Sequence, residues 1–128
     1  MSVPYKPAGY TDAAPYLIVD GAARTIDFLV QVFGAERLRR FDDPEGGVRH
    51  AEVRVGDTVV MLADGGEGYP PQPAHVHVYV PDVDDAYRRA LEAGGESVRP
   101  PERGDDPDRR GGVRDPGGTT WWISTQME

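Results

Sequence analysis

The sequence has no cysteine. That excludes a disulfide framework, a thiolate metal site and a cysteine nucleophile. It has no surplus of positive charge either. Fourteen Lys and Arg against 22 Asp and Glu give a formal net charge of −8, the wrong sign for the basic stripe that nucleic-acid binding requires. An acidic surface suits solubility and is compatible with a neutral or cationic small ligand. No apolar run approaches membrane-spanning length, and the opening "MSVPYKPAGYTDAAPYLIVDG" lacks a basic stretch leading into an apolar one. The expectation is a cytoplasmic protein with neither a nucleic-acid nor a membrane partner. A chain of 128 residues, 38% hydrophobic, suffices for one domain, residues 1–128, with a real core.

Residues 1–13 contain Pro, Gly and Tyr and read as an extended arm. "APYLIV" (14–19) is a short apolar strand. Residues 21–34 form an amphipathic helix, with Ala22, Ile26, Leu29, Val30 and Phe33 at helical spacing and Gly34 past its end. Strands follow at 36–41, 48–55 and 58–63, the last two joined by a "GD" turn. Residues 65–74 are a Gly/Pro-rich linker. "HVHVYV" (75–80) alternates strictly, and 82–95 reads as a second helix with acidic residues in its first turn. A weak strand covers about 96–100, "PERGDDPDRRGG" reads as a mobile loop, and "VRD" with "TTWWIST" makes a last hairpin.

This order is a repeat of βαβββ, with module one at about 14–64 and module two at about 75–125. An offset of 61 positions aligns the halves: Val19 with Val80, Gly34 with Gly95, "GDT" at 56–58 with "GGT" at 117–119, Ala14 with His75, and Met61 with Trp122. The fold class is therefore α+β, two four-stranded sheets each covered on one face by its helix. The other faces are free to enclose something.

Adjacent tryptophans on a strand point to opposite faces, so Trp121 and Trp122 cannot share one core. Trp121 has the parity of Ile123, a core residue. Trp122 shares its face with Thr120 and Ser124, which do not suit a helix-covered core. The same parity places Leu17/Val19, Ala51/Val53/Val55, Val60/Leu62 and Val76/Val78/Val80 under the helices. It leaves Tyr16, Ile18, His50, Glu52, Arg54, Val59, Met61, His75, His77 and Tyr79 on the open face.

The stretches "PYLIVDGAARTIDFLVQVFGAE", "HAEVRVGDTVVMLAD", "HVHVYVPDVDDAYRRALEAG" and "RDPGGTTWWIS" resemble, in order and spacing, the vicinal oxygen chelate superfamily, also called the glyoxalase/bleomycin-resistance/dioxygenase family. The resemblance implies paired βαβββ modules forming a cup, completed in a homodimer. Family enzymes hold a divalent metal on the cup floor, with one ligand on the first and one on the last strand of each module. Those positions here are Ala14, Met61, His75 and Trp122. Ala has no donor, Met offers a soft thioether, and Trp has no lone pair to give. No inherited metal site is expected.

A second donor set, His50, Glu52, His75 and His77, carries N and O ligands that Zn accepts; its bland alternative is hydrogen-bonding side chains in a wet cavity. His50 or His75 is a candidate general acid or base by residue type, and no activated nucleophile accompanies them. The expectation is a metal-free, cofactor-free homodimer that binds a small aromatic ligand, an antibiotic being the best specific guess. The binding residues are expected to be Tyr16, Ile18, Phe41, His50, Glu52, Val59, Met61, His75, His77, Tyr79 and Trp122, with no catalytic residue. In this respect the chain resembles the bleomycin-binding self-resistance proteins. The alternative is a lyase, isomerase or dioxygenase of the same superfamily, using a relocated metal or a His/Glu acid–base pair.

Overall fold

The computed structural model describes residues 3–128; Met1 and Ser2 of the expected arm lie outside the described residues. Module one runs β1 (Tyr16–Val19), α1 (Ala22–Phe33), β2 (Glu36–Asp42), β3 (Val48–Val55) and β4 (Thr58–Asp64). Module two repeats it as β5 (Ala74–Tyr79), α2 (Val83–Glu92), β6 (Glu96–Arg103), β7 (Asp108–Arg114) and β8 (Thr119–Gln126). The two sheets have corresponding strand orders, β1-β4-β3-β2 and β5-β8-β7-β6. In each, the first strand runs parallel to the last and the other pairings are antiparallel.

The offset of 61 survives in the register. Tyr16 pairs with Met61 and His77 with Trp122; Leu17 pairs with Leu62 and Val78 with Ile123. It slips by one at β7. The β3–β4 turn leaves Val55 opposite Thr58, whereas the longer turn of module two puts Arg114 opposite Thr120. Glu52 thus faces Met61 across β3–β4, and Gly112 faces Trp122 across β7–β8.

The apolar parity sets form one core shared by both modules. Leu17, Val19, Val53, Val60, Leu62, Val113, Trp121 and Ile123 are buried with the inward faces of the helices. Trp121, with no exposed surface, packs its ring 5.5 Å from that of Phe33 on α1, and Arg89 of α2 donates to the Val32 carbonyl at 2.8 Å. The modules are therefore joined through their helices. The inward face of α1 also includes Phe28 and Val32, while Val30 and Phe33 are only partly buried. Helix α2 starts at Asp82, whose carboxylate accepts from the Asp85 amide. Helix α1 starts at Gly21, which is left-handed at φ 84°, and its cap comes from another element. The Asp64 carboxylate on β4 accepts from the amides of Gly21, Ala22 and Val48.

Two expectations are corrected. The weak strand at 96–100 extends to Arg103, and most of the expected loop at 101–112 is ladder, since β7 begins at Asp108. Asp, Arg and Gly read as loop residues, but here they suit a strand. Asp108 and Arg110 form an ion pair at 3.1 Å. Gly112 lies so close to Trp122 that a Cβ would come within 2.6 Å of the indole.

Candidate functional site

On module one the centre of the open face is a carboxylate. Glu52 is only 2% exposed, yet it is surrounded by donors. Arg39 binds it in a fork at 3.0 and 3.2 Å, the Tyr10 hydroxyl donates to it, and His50 Nε2 lies 2.8 Å from Oε2. Burial pushes the Glu52 pKa up. The hydrogen bonds from Arg39, Tyr10 and His50, with the Arg39 charge, outweigh burial and lower it to about 2. Glu52 is therefore ionised and can only accept, which makes His50 Nε2 the donor. His50 Nδ1 then accepts from the Tyr16 hydroxyl at 2.8 Å. A chain of donors runs from exposed Tyr16 through His50 to buried Glu52. Phe41 flanks His50 at 6.2 Å between ring centroids, and the Arg49 guanidinium lies over Phe41.

The arm crosses this face. Arg54 donates to the Gly9 carbonyl at 3.1 Å, the Val59 amide donates to Thr11 Oγ1 at 3.4 Å, and Arg39 lies over the Tyr10 ring, 5.5 Å from its centroid. Val59 is consequently fully buried. Ile18 and Met61 are half-buried on the same face.

On module two the centre is an indole. Trp122 is half-buried, lies over Gly112, and stacks near-parallel to His75 at 6.2 Å and 11°. Its Nε1 donates to His75 Nδ1 at 3.1 Å, so His75 Nε2 bears that ring's proton and faces outward as a donor. Arg99 covers the indole at 5.8 Å. Beyond it, His77 Nε2 bonds Ser124 Oγ at 2.9 Å, Arg110 donates to the same hydroxyl, and Tyr79, 63% exposed, donates to Asp108 at 2.7 Å. Burial first, then the Arg110 charge, pushes the His77 pKa down, which keeps its ring neutral. The hydrogen bond to Asp108, then burial, pushes the Tyr79 hydroxyl up.

All the expected site residues except Val59 retain surface on an open face or lie within its hydrogen-bond network. They form two groups rather than one. Tyr16, Ile18, Phe41, His50, Glu52 and Met61 belong to the first; His75, His77, Tyr79 and Trp122 belong to the second, and the bonds described for each stay within its module. Sequence reasoning missed Tyr10, Arg39, Arg99, Asp108 and Arg110. Arg39 was accessible from parity, since it shares a face with Phe41 two residues on. Nothing local to the arm marks Tyr10.

A cleft of about 480 Å³ lies at the joint between modules, bounded by Pro15, the turn Val55–Thr58 and strand β5, with Trp121 at its base. Another, of about 410 Å³, lies between linker residues 71–73 and His75, Arg114 and Thr120. The donor chemistry does not fit a divalent ion. Ala14 precedes β1, Trp122 is a donor, and His50 and Glu52 spend their facing atoms on each other. No three of His, Asp and Glu converge on a metal position among the described residues. No helix among them is long and apolar enough to cross a membrane.

The family model described as the Glyoxalase/Bleomycin resistance protein/Dioxygenase superfamily matches residues 10–123. An uncharacterized protein of Mycobacterium bovis is 38% identical over 134 residues, covering 96% of this chain and 86% of that one. The crystal structure of TioX from Micromonospora sp. ML1 superimposes with a TM-score of 0.76 at 30% identity, covering 91% of this chain and 98% of that chain. TnmS3, an antibiotic binding protein from Streptomyces sp. CB03234, superimposes with a TM-score of 0.70 at 21% identity, covering 91% and 97%.

Proposed function

We propose that this chain, which belongs to the glyoxalase/bleomycin resistance protein/dioxygenase superfamily, captures a small aromatic molecule without metal and without turnover. The observation that carries this reading is Trp122. Its indole lies on the open face of the sheet, fixed from below by Gly112 and laterally by the His75 hydrogen bond. A fixed aromatic plane suits a planar ligand, at about 0.5–1.5 kcal/mol per stacked pair beyond burial. The position that family resemblance assigns to a metal ligand is thus occupied by a stacking surface. TnmS3 shares the fold and is an antibiotic binding protein, which supports an antibiotic as the ligand; sequestration of that ligand in the cytoplasm is the role that would follow.

The working unit is a homodimer. Val76 and Val78, on the edge strand β5 beside the 480 Å³ cleft, and Val80 just after it belong to the helix-facing set but are only half-buried. A second copy covering this edge removes that apolar surface from water. Light scattering at micromolar concentration should give the mass of two chains.

The test of capture is a titration of planar aromatic antibiotics followed by tryptophan fluorescence. Saturable quenching is expected in the parent, unchanged by EDTA; by calorimetry, which needs no indole reporter, binding should be lost in Trp122→Ala and partly kept in Trp122→Phe. A panel in which no compound perturbs Trp122, or binding that EDTA abolishes, overturns the reading. One observation favours a rival, an acid–base lyase or isomerase: His50 is held between ionised Glu52 and Tyr16, as a general base is held by its orienting carboxylate. Chemical conversion of a bound compound, abolished by His50→Gln, would establish that rival.

A further inference from the structure

We propose that the Tyr10 side chain occupies a subsite for a phenol on module one, built from Glu52 and Arg39, and that the arm is displaced when a phenolic ligand enters. This rests on the reading that the open sheet faces take aromatic ligands, and it names the chemistry that one of them selects. Three observations converge. The first is the acceptor. Glu52 is nearly buried, ionised and incapable of donating. Arg39 and His50 satisfy part of its acceptor capacity, and the remaining donor comes from the hydroxyl of Tyr10. Without that hydroxyl, a buried carboxylate is left one donor short.

The second observation is the ring. The Arg39 guanidinium that grips Glu52 also lies over the Tyr10 ring, so one residue reads both an aromatic face and the group it carries. The subsite therefore requires a planar ring with a protonated hydroxyl in one rigid arrangement, which is the definition of a phenol. Burial and the Glu52 bond push the Tyr10 hydroxyl pKa up, consistent with a site that holds the phenol in its protonated form and rejects a phenolate.

The third is how loosely the occupant is tethered. Besides Tyr10, the described residues of the arm meet the sheet through two hydrogen bonds, Arg54 to the Gly9 carbonyl and the Val59 amide to Thr11. Gly9 sits at φ 80°, a left-handed turn that glycine adopts without penalty. The other side-chain contacts of the arm, Tyr5 and Lys6 with Asp12, remain within the arm. Releasing it breaks no pairing between strands, although it uncovers Val59.

The test uses the full chain and two small probes, phenol and its methyl ether anisole, which keeps the ring and lacks the donor. Binding is followed by NMR at the amides of residues 9–11 and at the Trp122 indole N–H. A competing occupant lowers apparent affinity by the fraction of time the site is free, so Tyr10→Ala should bind phenol about 10-fold more tightly than the parent. Tyr10→Phe, which keeps the ring but not the hydroxyl, should fall between. In the parent, phenol should shift the amides of residues 9–11. Anisole should bind weakly and gain nothing from Tyr10→Ala. Equal affinity of Tyr10→Ala and parent for phenol, an equal gain for anisole, or phenol shifts confined to the Trp122 indole would overturn the proposal. If antibiotics fail to reach Trp122 while Tyr10→Ala gains phenol affinity, the capture reading falls and the subsite stands; the opposite pair of results removes the subsite alone.

Discussion

Module one and module two share element order, strand order and a register offset by 61 residues, yet their open faces carry opposite chemistry. Where β3 and β4 face each other, module one places Glu52 beside Met61; the same crossing in module two places Gly112 beside Trp122. One centre is an anion enclosed by donors, the other an indole set over a residue without a side chain. The difference extends to the buried carboxylates. Bonds from Arg39, Tyr10 and His50 overcome burial and hold Glu52 down at about 2. Asp115, in the β7–β8 turn, is pushed up by burial despite donors from Trp121, Thr119, Gly117 and Gly118. The backbone decides which face a position occupies; the pairing across one crossing decides what that face can recognise.

The largest expected effect separates the two tryptophans. Trp121→Ala removes a fully buried ring that bridges the modules and leaves Asp115 without its Nε1 partner. It should lower unfolding free energy by about 3–5 kcal/mol, read by urea denaturation. An equal loss for Trp122→Ala would erase the distinction between their faces.

Next is Glu52→Gln, which bears on module one alone. The folded pKa of Glu52 is about 2 against an ordinary 4.5. Its stabilising contribution is therefore complete above about pH 4.5 and fades as pH falls toward 2, with an upper bound of about 3 kcal/mol. Glu52→Gln should be less stable than the parent at pH 7 and nearly equal to it at pH 2. Asp115 acts with the opposite sign, since a raised pKa favours the fold below its ordinary 3.8 and loses that advantage as pH rises through the folded value. Parallel pH profiles for Glu52→Gln and parent would contradict the Glu52 assignment.

A smaller effect is expected at Gly112. Gly112→Ala puts a Cβ within 2.6 Å of the Trp122 ring, so the indole must move, at a cost of about 1–3 kcal/mol. Its emission spectrum should shift and ligand quenching should weaken. The smallest effect is His75→Ala, which removes the partner of Trp122 Nε1 on an accessible face. Its stability change should be about 1 kcal/mol or less, with a larger loss of ligand affinity as the indole is freed to rotate. A binding loss no greater than the stability change would show that His75 does not orient the ring.

The sequence pattern carried the repeat, the helix-facing valines and the separation of Trp121 from Trp122, because these rest on periods of 2 and 3.6 that any packed βαβββ unit must obey. It misassigned residues 101–112, where "DDPDRRGG" has loop composition but supplies the polar face and the flat floor of a strand. It missed Arg39 because β2 reads as a string of charges, and its pairing with β3 is irregular between Arg37 and Arg40. It did not foresee that His50/Glu52 and His75/His77 would each be tied within its own module, since separation between modules is a matter of packing. The arm was invisible as a functional element because Tyr10 finds Glu52 42 residues away, with no local pattern to announce it.

The parallel pairing of first and last strand has a consequence for how the chain is made. Tyr16 meets Met61 and His77 meets Trp122, so each sheet awaits a partner 45 residues downstream (61 − 16 and 122 − 77). During synthesis, which delivers the N-terminal portion first, module one can close once residue 64 has emerged. The Phe33 ring, however, awaits Trp121, which lies beyond the whole of module one. A ribosome that stalls before codon 119 releases a chain whose first sheet is paired, whose second lacks the strand between β5 and β7, and whose shared core is still open to water. The last strand is therefore what closes both the second sheet and the core that the two modules share.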